Sequence, residues 1–84
     1  MKTFTFNGNR AEFANIEATV ALLKDGCFIT RGYVEWPVLN EDFRCMVMAK
    51  QKTVNKLLLA GFLISDCDRL VINPKHLETE INFI

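Results

Sequence analysis

Three cysteines, Cys27, Cys45 and Cys67, and one histidine, His76, are the residues of this chain best suited to metal or nucleophilic chemistry. Together they would form a Cys3His zinc set. A structural zinc site needs one tight turn to supply two ligands, normally as C-x2–4-C. Here the cysteines are 18 and 22 residues apart, so they are expected as small apolar core residues rather than ligands. Nucleophilic catalysis needs a base held beside the thiol. His76 sits in a Pro-Lys-His-Leu turn with nothing local to orient it. Cys67 is flanked by Asp66 and Asp68, which disfavour a thiolate. The acid pairs Glu41-Asp42 and Asp66/Asp68 read as turn residues, since Asp bonds its own backbone there. Neither a GxGxxG run nor a P-loop is present. No enzyme, no metal and no cofactor is expected.

What remains is charge. Between Asp42 and Asp66 the chain carries Arg44, Lys50, Lys52 and Lys56 and no carboxylate. The chain as a whole has ten basic and ten acidic residues. That balance argues against a free-standing phosphate binder, whose affinity comes from a basic excess. The local basic stretch suits an anionic partner, an acidic protein surface or, less favoured, nucleic acid. Tyr33 and Trp36 stand near Pro37, and such aromatics are favoured at interfaces.

The elements that must carry these residues follow from periodicity. Phe4 and Phe6 alternate with Thr3 and Thr5 over Lys2–Asn7, which predicts a half-buried strand. Asn9 caps a helix to Lys24, with Glu12 three residues later. Phe13, Ile16, Val20 and Leu23 share one face, and Gly26 makes the stop. Residues 27–39 are extended, with Pro37 marking an edge or an exit. Phe43–Ala49 alternates and is taken as a strand, with a helix as the competing reading. A helix over Lys52–Ala60 buries Val54, Leu57 and Leu58 and stops at Gly61 in a Schellman turn with Phe62. Short strands follow at Arg69–Asn73 and over Thr79, Ile81 and Phe83.

The order is β-α-β-β-α-β with room for an extra C-terminal strand, the order of ferredoxin-like folds. It predicts one α+β domain over residues 1–84, an antiparallel sheet with two helices on one face. Eighty-four residues leave no room for a second core. The odd cysteine count, and the lack of a signal region or a long apolar run, predict a soluble, cytoplasmic chain with free thiols.

Residues Thr53-Val54-Asn55-Lys56-Leu57-Leu58-Leu59-Ala60-Gly61-Phe62-Leu63-Ile64, then Arg69-Leu70-Val71-Ile72, resemble the recognition helix and wing of winged-helix DNA-binding domains. That resemblance implies two further helices upstream and a transcriptional regulator, with Lys52, Asn55 and Lys56 approaching phosphates and base edges.

The leading expectation is a non-enzymatic protein-interaction module, a small adaptor, regulator or inhibitor. Small proteins of this build recur in phages and mobile elements. The contact surface is expected at an exposed edge over Tyr33–Leu39, with Trp36 on it. Arg44, Lys50, Lys52 and Lys56 would steer the acidic partner. Edge-strand pairing would also allow a homodimer.

Overall fold

The computed structural model describes residues 3–84. In chain order the elements are β1 Thr3–Phe6, α1 Arg10–Lys24, β2 Phe28–Ile29, β3 Glu35–Leu39, β4 Cys45–Lys50, α2 Gln51–Leu59, β5 Leu63–Asp66, β6 Arg69–Ile72, a 3-10 turn Pro74–His76, and β7 Glu80–Phe83. The class is α+β. Five strands form an antiparallel sheet in the order β4-β3-β2-β6-β5, and β1 pairs β7 in parallel as a separate ribbon. The expected Lys2 start of the first strand lies outside the described residues.

Each helix is built by local signals. The Asn9 side chain accepts from the Glu12 N–H at 2.9 Å and caps α1. Ile16, Val20 and Leu23 are buried on its inner face, while Phe13 packs its ring on Phe83 of β7 at 4.7 Å. Helix α2 starts directly after β4, with Lys50 as both strand end and N-cap. It buries Thr53, Val54 and Leu57. The expected burial of Leu58 is corrected, because that side chain is 40% exposed. Helix α2 ends in a Schellman turn. The Phe62 N–H donates to Leu57 O and the Gly61 N–H to Leu58 O, with Gly61 at φ 75°. The fully buried Phe62 is thereby delivered into the core.

Register fixes which side of the sheet each residue takes. Ile29, Val38, Ala49, Leu63 and Leu70 face the helices and join Ile16, Val20, Leu23, Val54 and Leu57 in one core. The extended run 27–39 is two strands of a hairpin, not one. Nor is β3 an edge: it lies between β2 and β4. Pro37 is tolerated there because β2 is only two residues long. The Pro37 carbonyl accepts from the Thr30 N–H, and the missing Pro37 N–H falls where that ladder ends. The true edges are β4 and β5. The winged-helix alternative is corrected too, because residues 27–39 supply strands and the described residues hold only two α-helices.

The free edge of β4 is closed by a side chain. Asn15 of α1 donates from Nδ2 to Met48 O at 3.0 Å. Its Oδ1 accepts from the Lys50 N–H at 3.0 Å and from Thr53 Oγ1 at 2.8 Å. One amide thus stands in for a neighbouring strand and pins the β4–α2 junction.

Candidate functional site

The sequence-predicted cations divide into two places. Lys50 ends β4 and Lys52 opens α2, and both are exposed. Arg44 precedes the other end of β4, about 20 Å away at roughly 3.3 Å per residue. It takes no part in the cluster, which corrects the expectation of one basic surface over 44–56. Lys56 is engaged: its Nζ donates to Glu12 Oε2 and to Asn7 O, at 3.0 and 3.1 Å. The carboxylate missing from residues 43–65 therefore arrives from α1. Lys56, by hydrogen bond and then by charge, holds the Glu12 carboxyl below its ordinary value, with smaller help from Lys52 and Lys50. Asn55 is exposed on α2.

The aromatic pair also separates. Tyr33 is 99% exposed at the tip of the β2–β3 loop, and Val34 beside it is 77% exposed. That loop is tight. A Cβ on Gly32 would collide with the Glu35 carbonyl oxygen, so the turn that lifts Tyr33 closes only on glycine. Trp36 is not on an exposed edge. It pairs with the buried Ala49, so its ring is on the helix side, half-buried against the core. Its Nε1 is buried without a hydrogen-bond partner. The contact surface expected over Tyr33–Leu39 is thus confined to its first residues.

Fold geometry joins the loop tip to the start of α2. An open cleft of about 660 Å³ is lined by Arg31, Gly32, Tyr33, Trp36 and Gln51. A second, of about 500 Å³, lies between Val34, Glu35, Lys50, Lys52 and the Glu12 turn of α1. This end of the molecule carries Arg31, Lys50, Lys52 and Lys56 together with Glu12 and Glu35, and Arg31 also borders a cleft with Asp68. The two clefts share Gln51, so the predicted Tyr33 lines one and the predicted Lys50 and Lys52 the other, on either side of it.

The residues with catalytic chemistry stay apart. Cys27 is buried, and burial, then Asp25 and Glu41, pushes its thiol pKa up. Cys45 and Cys67 are exposed. No group of three metal-ligating side chains forms among the described residues. His76 is not the free turn residue expected: it stacks on Phe62 at 5.6 Å and Nδ1 lies 3.0 Å from Thr79 Oγ1.

Sequence reasoning missed the outer face of the sheet. Register places Ile64, Val71, Phe28, Leu39 and Cys45 in one row across all five strands, on the side away from the helices. Phe28 is only 5% exposed, because Arg69 lies over its ring at 3.9 Å and Phe43 meets it edge-on at 5.7 Å. Phe43 itself is 65% exposed and held at φ 60°, a left-handed conformation costly for a bulky residue. The signal was present: in Cys45-Met46-Val47-Met48-Ala49 both alternating sets are apolar, which one covered face does not require.

No family model, curated protein or solved structure matches this chain.

Proposed function

We propose that this chain is a non-enzymatic protein-interaction module that binds an acidic protein surface through the end formed by Tyr33, Val34, Lys50 and Lys52. The observation that carries the reading is Tyr33. Tyr33 is 99% exposed on a glycine-closed turn next to the exposed Val34, at the end of the molecule that also carries Lys50 and Lys52, and exposed aromatics flanked by charge are the residues interfaces favour. Its ring would supply apolar contact with little ordering cost, and Lys50 and Lys52 would steer the approach. A role as adaptor, regulator or inhibitor follows from occupying a partner rather than transforming it.

The test is affinity capture from native lysate with the intact chain, Tyr33→Ala, Lys52→Glu, and Lys75→Glu as a control on the distant 3-10 turn. The reading expects an acidic protein that is lost with the first two variants and kept with the third. Capture that survives both, or that nuclease abolishes, refutes it. The second outcome would favour duplex DNA through Lys52 and Asn55, with affinity falling steeply as salt rises.

A further inference from the structure

The outer sheet face carries an apolar row, covered only at Phe28 by Arg69 and Phe43, and charges in a pattern that fits itself. Its central row is Ile64, Val71, Phe28, Leu39 and Cys45. The row beside it is Asp66, Arg69, Thr30, Pro37 and Met48, and β3 and β4 add one more pair, Glu35 and Lys50. None of Glu35, Lys50, Asp66 and Arg69 closes an ion pair among the described residues, where Lys56–Glu12 is the only one.

We infer that this face is the interface with a second copy of the chain, the two sheets packing face to face about a two-fold axis along β2. The inference shares Lys50 alone with the acidic-partner reading and rests on none of its other residues. Such an axis lays β4 of one copy over β5 of the other, and β3 over β6, because the order is β4-β3-β2-β6-β5. The rows then superpose reversed. The Phe43 ring that meets Phe28 edge-on faces its own counterpart, Leu39 faces Val71, and Cys45 faces Ile64. Charges match as well. Lys50 on β4 faces the partner's Asp66 on β5, and Glu35 on β3 faces the partner's Arg69 on β6. Each pair is offset by one row, about 7 Å along the strands, within reach of long side chains. Sheets of this kind pack about 10 Å apart with strands aligned within about 30°. A contact of this symmetry closes at two copies.

Phe43 explains itself in this arrangement. A left-handed bulky residue is a cost to the single chain, yet it holds an exposed ring over Phe28, at the middle of the proposed contact. Its removal therefore separates folding from association. Phe43→Gly relieves the backbone, which offsets the cover lost from Phe28, while the dimer loses its central aromatic.

Sedimentation equilibrium on the intact chain tests the proposal. At about 100 µM the expected mass is twice the 9.6 kDa of one chain. Phe43→Gly should raise the dimer dissociation constant at least about tenfold, and Val71→Lys should leave a monomer, both with a native circular dichroism spectrum. Asp66→Lys should weaken the dimer, and adding Lys50→Glu should restore it. Tyr33→Ala and Lys52→Glu should leave the mass unchanged, so loss of partner capture and loss of the dimer are read separately. A monomer throughout, a dimer indifferent to Phe43→Gly and Val71→Lys, or growth past two copies overturns the inference.

Discussion

Replacing Asn15 by alanine should cost more than any other single polar substitution on α1. The side chain makes three hydrogen bonds, to Met48 O, the Lys50 N–H and Thr53 Oγ1, across 33 to 38 residues of sequence. Each is worth about 1 kcal/mol net. Two of the three are solvent-exposed, which brings the sum to about 2.5 kcal/mol. Alanine returns about 0.5 kcal/mol of helix propensity. The net loss is about 2 kcal/mol, from a total of about 4–12 kcal/mol for a chain of this size. At about 4–8 °C per kcal/mol, Tm should fall by roughly 8–16 °C. Hydrogen exchange reads the mechanism as well as the magnitude. The Lys50 amide should lose protection beyond the global change, because its acceptor is gone, while Ile29 in the sheet centre follows the global change alone. A Tm shift under about 3 °C, or a Lys50 amide still protected, would refute the claim that this amide closes the β4 edge.

Backbone strain gives a paired prediction. Cys67 sits at φ 57° in the β5–β6 turn and is exposed, so Cys67→Gly should stabilise by about 0.5 kcal/mol, read by urea unfolding. Gly61→Ala, at φ 75° with open space around it, should instead destabilise by about 1 kcal/mol. The Glu12–Lys56 pair should appear in the pH dependence of stability. The Glu12 pKa is lowered from the ordinary 4.5 by folding, so its contribution is present above that value and is lost as pH falls through the folded one. The Tm gap between the intact chain and Lys56→Met should therefore be larger at pH 6 than at pH 3, and a gap that does not shrink on acidification contradicts the pairing.

Local elements were legible in the sequence and their partners were not. Asn9, Glu12 and the spacing of Phe13, Ile16, Val20 and Leu23 specify α1, because a cap and an amphipathic face are encoded within one helix length. Gly61 and Phe62 likewise specify the end of α2. Alternation marked Phe43–Ala49 as a strand, observed as Cys45–Lys50. It could not say that Thr3–Phe6 would pair in parallel with Glu80–Phe83, since period two identifies a strand and not its neighbour. Leu63–Asp66 was missed as a strand for want of such alternation. Pro37 misled because the rule that excludes it from sheet interiors concerns a donor, and here that donor would have faced only Thr30, just past the last residue of β2. The basic stretch was visible, but Glu12, which neutralises Lys56, lies 44 residues away. Of the candidate site, Lys50 and Lys52 line one cleft and Tyr33 the next, Trp36 turns inward and Arg44 stands apart. Asn15 carried a weak signal, an indifferent helix former beside the apolar stripe.

The proposed contact surface is the end of the molecule that carries Tyr33, Val34, Lys50 and Lys52. Titrating a short poly-glutamate peptide into the isotope-labelled chain, followed by amide chemical shifts, addresses it directly. The account predicts perturbations centred on Tyr33, Val34, Gln51 and Lys52, with Arg44 and Lys75 silent. Shifts centred on Arg44, or none at that end, would contradict it.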